Sequence, residues 1–94
     1  MFYKKISADT DDALNGQKRI VGLRLVAAAA DASVILYDDA TVSGASHDFC
    51  TLSLDISAEG LNTKQMFGRE GILLDRGLSV DITGSGAVLY VYYK

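Results

Sequence analysis

Hydrophobic and polar positions alternate with a period of two over most of this chain, and that period predicts β-strands. The clearest run is Asp48 to Ile56, where Cys50, Leu52, Leu54 and Ile56 share one face and Thr51, Ser53 and Asp55 the other. Lys18 to Ala27 repeats the pattern, with Val21, Leu23 and Leu25 expected on one face and Arg24 on the other. Ala32 to Tyr37 sets Val34 and Leu36 against Ser33, Ile35 and Tyr37. Gly71 to Asp75 is a short apolar run, and Leu78, Val80 and Ile82 then alternate with Ser79, Asp81 and Thr83. Ala87 to Tyr93 closes the chain with β-branched and aromatic residues. With Phe2 to Ile6 as a first strand and a short one around Gln65 to Gly68, seven or eight strands are expected.

Breaks separate these runs at Asn15-Gly16, Asp38-Asp39, Ser43-Gly44, Gly60, Asp75-Arg76-Gly77 and Gly84-Ser85-Gly86. Many short strands with turn signals roughly every 8–12 residues read as a sandwich or barrel. The expected fold is therefore all-β, an antiparallel β-sandwich of jelly-roll-like or Ig-like form, with residues 1–94 as one domain. A tight turn at Gly84 to Gly86 calls for a positive φ at one of its glycines. No segment carries a helical stripe. Four alanines at 27–30 are too few to nucleate a helix and predict a bulge, a loop or at most one turn.

Length adds a constraint. A chain of 94 residues buries only about 60–65% of the surface it exposes when unfolded, so its core is modest. The single Cys50 cannot form an internal disulfide, and with the single His47 it cannot build an ordinary structural zinc site. Assembly is the remaining route to extra support. A net charge of −3 argues against a nucleic-acid partner. Ten of the twelve acids are Asp, which favours turns, so the acids read as turn punctuation and not as a helix surface. Leu25 to Ala30, the longest apolar run, is far below the ~20 residues of a membrane span. Met1 to Asp12 has no apolar h-region, so neither a signal peptide nor a membrane partner is expected, and folding in a cytoplasm is.

Candidate chemistry is sparse. His47 and Cys50 are three apart and point to opposite faces of an extended strand, with Cys50 in the inward register of Leu52 and Leu54. His47 is expected in a loop or at the start of that strand. Asp9, Asp11 and Asp12 fail as a calcium loop, because the later ligand and glycine positions hold Ala13, Leu14 and Ile20. Gly84-Ser85-Gly86 lacks the lysine and helix of a phosphate cradle. No catalytic, cofactor-binding or metal residues are nominated. The chain ends carry more. Val88, Tyr90 and Tyr92 on one face of the last strand, and Leu89, Val91 and Tyr93 on the other, make it apolar on both sides. Tyrosine suits interfaces because its ring buries while its hydroxyl stays paired. Together with the amphipathic arm Phe2-Tyr3-Lys4-Lys5-Ile6, this nominates Phe2, Tyr3, Ile6, Tyr90, Tyr92 and Tyr93 as an interface.

The segment Gly-Ile-Leu-Leu-Asp-Arg-Gly-Leu-Ser-Val-Asp-Ile-Thr-Gly-Ser-Gly-Ala-Val-Leu-Tyr-Val-Tyr-Tyr-Lys, from Gly71 to Lys94, resembles the closing hairpins of small β-sandwich virion proteins of tailed bacteriophages. The pair Lys18-Arg19-Ile20-Val21-Gly22-Leu23 and Ala32-Ser33-Val34-Ile35-Leu36-Tyr37-Asp38 is similar to their long central strands. That resemblance implies a non-enzymatic capsid decoration (cement) protein. Such a protein would be assembled into the virion from the host cytoplasm and bind major capsid subunits as a homo-oligomer, a trimer being favoured. A tail, neck or fibre component is the alternative within the virion. A small carbohydrate-binding module is the alternative outside it, with Tyr3, Tyr37 or the terminal tyrosines as its only aromatic platform.

Overall fold

The computed structural model of the chain describes residues 2–11, 13–14, 18–28 and 30–94. Asp12 and the turn expected at Asn15-Gly16 lie outside the described residues, as does Ala29 within the alanine run. The elements are β1 (Phe2–Ile6), β2 (Arg19–Val26), β3 (Ala32–Tyr37), β4 (Asp48–Leu54), α1 (Ile56–Glu59), β5 (Asn62–Met66), β6 (Ile72–Leu73), β7 (Ser79–Thr83) and β8 (Val88–Tyr93). They form an antiparallel β-sandwich. The larger sheet runs β1-β8-β2-β5 with β6 also paired to β2, and the smaller runs β4-β3-β7.

The pairs are nested. β3 with β4 is innermost, then β2 with β5, then Thr10 bridged to Val80 of β7, and β1 with β8 is outermost. Successive pairs fall alternately in the smaller and the larger sheet. A long hairpin folded across itself in this way is the jelly-roll-like arrangement, the first of the two topologies that the strand count left open.

Between the sheets lies one core. The larger sheet contributes Ile6, Ile20, Leu23, Leu25, Leu89 and Val91, the smaller Val34, Leu36, Leu54 and Val80, and Leu14, Leu74 and Leu78 close it. Each large aliphatic side chain buried here contributes about 1.5–3 kcal/mol over an exposed one. Alternation predicts most of this list correctly, including the exposed Arg24 between Leu23 and Leu25.

Val21 is the exception. Ile20 pairs with Tyr93 and Gly22 with Tyr92, so β2 spends one extra residue, Val21, on a bulge. The extra residue inverts the alternation, and Ile20 joins Leu23 and Leu25 in the core cluster in place of Val21. At the same point β5 leaves the other edge of β2 and β6 takes over, with Phe67 N–H donating to the Val21 carbonyl at 3.0 Å.

Two further expectations are corrected. The strand expected to reach Ile56 stops at Leu54, because Asp55 caps a four-residue helix: its carboxylate accepts from the Ser57 N–H at 3.0 Å, and Gly60 ends the turn at φ +84°. The strand expected at 65–68 lies instead at Asn62–Met66. At the β7–β8 turn both Gly84 and Gly86 have positive φ, +126° and +73°, where one was required. A Cβ on Gly84 would also come within 2.8 Å of the Asp31 carbonyl oxygen.

Candidate functional site

Cross-strand partners share a sheet face, so the register of the larger sheet fixes its outer surface. Tyr3 of β1 is opposite Tyr92 of β8, which is opposite Gly22 of β2, which is opposite Met66 of β5. The next row is Lys5, Tyr90, Arg24 and Lys64. Val88, Val26 and Asn62 form a third. Gly22 leaves a dip in the first row, and the Met66 thioether lies across it. An open groove of about 670 Å³ runs there between Arg24, Asn62, Lys64, Met66 and Tyr92.

The face is aromatic, sulfur-bearing and basic. Tyr3 is 65% exposed and its ring lies 6.2 Å from that of Tyr90, a diagonal contact across β1 and β8. Tyr90 and Tyr92 are half-buried and Met66 is exposed. The larger sheet's strands hold Lys4, Lys5, Arg19, Arg24 and Lys64 and no acid, whereas β3, β4 and β7 hold Asp48 and Asp81 and no lysine or arginine.

Of the six nominated interface residues the structure therefore gathers Tyr3, Tyr90 and Tyr92 on one surface. Phe2 and Tyr93 meet at the edge of the opposite, core-side face, with ring centroids 5.7 Å apart. Ile6 is not on an exposed surface of the fold. It is 3% exposed and packs in the core, because its odd distance from Tyr3 and Lys5 turns it inward beside Leu89. Lys5, Arg24, Lys64 and Met66 are members that sequence reasoning passed over. The one available signal was Arg24, the single charge in the interior of an otherwise apolar strand that begins at Arg19.

On the smaller sheet the acids act as clamps. Asp9 accepts from Ile82 N–H at 2.9 Å, Asp11 from Val42 N–H at 2.7 Å, and Asp38 from Asp75 and Arg76 N–H at 3.2 and 2.8 Å. With Asp9 and Asp11 committed in this way, they hold loops and the edge of β7. The backbone of Thr10 and Val80 exchanges two further hydrogen bonds, 3.0 and 2.9 Å, which covers that edge.

Ser46, His47 and Asp39 form a small cluster just before β4. His47 Nδ1 lies 2.8 Å from Asp39 Oδ1 and 3.4 Å from Ser46 Oγ. Both neighbours thus reach the same ring nitrogen, whereas a nucleophile–base–acid relay needs them on opposite nitrogens. Asp39 also accepts the N–H groups of His47 and Ser46 at 2.9 and 3.1 Å. The backbone N–H of His47 is the main reason its carboxyl lies below the usual range; partial desolvation opposes the shift, and the His47 side chain and Ser46 N–H add to it. This cluster closes the β3–β4 loop.

Cys50 is half-buried against the core beside Leu52, and burial pushes its thiol pKa up, away from a reactive thiolate. Among the described residues no group of three or more His, Cys, Asp or Glu side chains could hold a metal ion.

Comparison of the chain with protein-family models, curated proteins and solved structures finds no match. The site is therefore read from its own chemistry.

Proposed function

We propose that this chain is a non-enzymatic virion structural protein of a tailed bacteriophage, a capsid decoration protein that stabilises the head by binding major capsid subunits. The observation that carries the reading is the outer face of the larger sheet, where Tyr3, Tyr90 and Tyr92 sit with Met66, Lys5, Arg24 and Lys64 on rigid strands. Interfaces are enriched in tyrosine, methionine and arginine, and a broad sheet face suits a protein surface better than a small substrate. The adjacency of β1 and β8 supports docking through the chain ends. The resemblance of Gly71 to Lys94 to phage sandwich proteins points the same way. On this reading His47 and Asp39 are structural, no cofactor is involved, and a location in the tail, neck or fibre is a variant of the same role.

A carbohydrate-binding module is the second reading, favoured by the groove beside Tyr92. Purified chain mixed with phage capsids stripped of accessory proteins should co-sediment with them and raise the temperature at which they rupture. Tyr90→Ser with Tyr92→Ser should abolish co-sedimentation while the variant still melts cooperatively. Capsids that fail to retain the chain, combined with specific binding on a glycan array, would assign it as the carbohydrate-binding module instead.

A further inference from the structure

The charges of this protein are sorted by sheet, and the sorting leaves the two broad faces complementary. Lys5, Arg24 and Lys64 flank Tyr90 in a single row of the larger sheet's outer face. On the opposite broad face, Asp81 sits beside Ile35 and Asp48 opposite Tyr37, again mixing charge with half-buried apolar surface. Asp31, Asp38, Asp39 and Asp55 border that face in the adjoining loops.

On the strands themselves, no ion pair of the described residues engages Lys5, Arg24, Lys64, Asp48 or Asp81, whereas Asp38 and Asp39 in the loops are paired. The two ion pairs of the described residues are His47–Asp39 and Arg76–Asp38, both on the acidic side. Lys5, Arg24 and Lys64 take part in neither.

The large exposed apolar residues are just as one-sided. Phe2, Tyr3, Leu61, Met66 and Leu73 are 64, 65, 55, 54 and 42% exposed; all five lie on the larger sheet or at its end, and Tyr3 and Met66 belong to the row beside the cations. Cation-lined apolar surface without any acid is costly to leave against water but well suited to a surface that is both apolar and anionic. The chain's other side supplies the charge, with Asp48 and Asp81 beside the half-buried Ile35 and Tyr37 among the hydroxyls of Ser33, Thr51, Ser53 and Thr83. The molecule spans 36 × 30 × 18 Å, so each broad face is large enough to bury the about 800 Å² per partner of a standard interface.

We infer that the protein associates with further copies of itself head to tail, the basic tyrosine-rich face of one copy seating on the acidic smaller-sheet face of the next. A contact between two different patches is heterologous. It closes into a ring when the rotation between copies allows and otherwise extends as a filament. The inference deepens the structural-protein reading and rests on the same face. It adds that the occupant of that face is a second copy, and that the contact is electrostatically steered and weakened by salt.

Sedimentation velocity tests it with two variants of the full chain. Arg24→Gln with Lys64→Gln neutralises the basic face, and Asp48→Asn with Asp81→Asn neutralises the acidic one. At about 20 mM salt the wild-type chain should show a mass that grows with concentration, and at about 500 mM salt the growth should collapse. Each variant alone should self-associate about tenfold more weakly or worse, with an unchanged circular dichroism spectrum. An equal mixture of the two should then form a 1:1 complex that grows no further, because each variant keeps the one face that the other needs. That rescue on mixing is the signature of a head-to-tail contact.

A wild-type chain that stays monomeric at all concentrations in low salt overturns the inference. So does a mixture of folded variants that fails to form the 1:1 complex. Loss of association in the basic-face variant alone, with the acidic-face variant behaving as wild type, overturns it in favour of a face-to-face dimer. Stoichiometric binding of a single-stranded oligonucleotide to a monomer, abolished by Arg24→Gln with Lys64→Gln, overturns it in favour of a polyanion. Capsid co-sedimentation is a separate readout: a self-associating chain that ignores capsids removes the virion reading and leaves this one standing.

Discussion

Outward from the larger sheet point Tyr3, Lys5, Arg24, Lys64, Met66, Tyr90 and Tyr92, and outward from the smaller point Ser33, Ile35, Thr51, Ser53, Asp81 and Thr83. Around the smaller sheet, Asp9, Asp11, Asp31, Asp38 and Asp39 each accept at least one backbone N–H. On the larger sheet Lys5, Arg24 and Lys64 enter no ion pair of the described residues. Those five acids are thus spent on holding backbone, whereas Asp48 and Asp81 on one outer face and Lys5, Arg24 and Lys64 on the other enter no ion pair of the described residues. The difference separates residues that build the domain from residues left over for a partner. An Asp beside a turn satisfies a backbone donor at close range. A lysine or arginine in mid-strand has no such use and is kept in water by its charge.

The contrast is confined to the outer faces if both sheets share one core, and the largest expected effects test that. Leu36→Ala in the smaller sheet and Leu89→Ala in the larger remove side chains that are both 0% exposed. Each should cost about 2–5 kcal/mol and lower Tm as one cooperative transition. Two resolved transitions in a calorimetric scan of either variant would mean that the sheets melt separately.

Gly84→Val acts where the chain crosses from β7 in the smaller sheet to β8 in the larger. The positive φ and the 2.8 Å approach to the Asp31 carbonyl both oppose a side chain there. A loss of about 1–3 kcal/mol is expected from chemical denaturation. The same change at Gly44, whose φ is +75° but whose Cβ would meet nothing within 4 Å, should cost less. Equal losses would show that backbone strain alone accounts for both and that the crossing itself is not crowded.

The smallest effect is the acid limb of stability, and it should belong to the smaller sheet. Asp39 and Asp55 both have carboxyl pKa values lowered in the fold, Asp39 chiefly by the His47 N–H and Asp55 chiefly by the Ser57 hydroxyl. A lowered folded value means that the stabilisation is present above the ordinary carboxylate pKa of about 4 and is lost as pH falls through the folded value. Denaturation midpoints of Asp39→Asn between about pH 6 and pH 2 should fall less steeply than those of the wild type. An identical slope would remove Asp39 from the acid transition.

How much of this was legible in the sequence follows from the range of the forces involved. Alternation gave Phe2–Ile6, Ala32–Tyr37 and the inward Leu23, Leu25, Val34, Leu36 and Leu54, because a strand's two faces are a local property with a period of two, whereas the two apolar faces of the last strand left Leu89 and Val91 unassigned. It failed at Val21, where the bulge depends on how β2 meets β8, β5 and β6 together. It failed again at Ile56, where an Asp cap competes with strand extension and the Asp31 carboxylate, 25 positions away, accepts the Ile56 N–H at 3.0 Å. For the candidate site, tyrosine content and the two chain ends pointed to Tyr3, Tyr90 and Tyr92, while Ile6 was read as accessible because an isolated arm shows no neighbour to bury it.

The sequence by itself determined the all-β class, the approximate strands and the glycine turn, since each depends on residues within a few positions of one another. Only the tertiary structure decided the nested jelly-roll-like pairing and the row of Lys5, Tyr90, Arg24 and Lys64. Net charge averages over the whole chain and conceals such a row. The row exists because strands far apart in sequence lie about 4.8 Å apart in a sheet, so that one charge from each becomes a single surface.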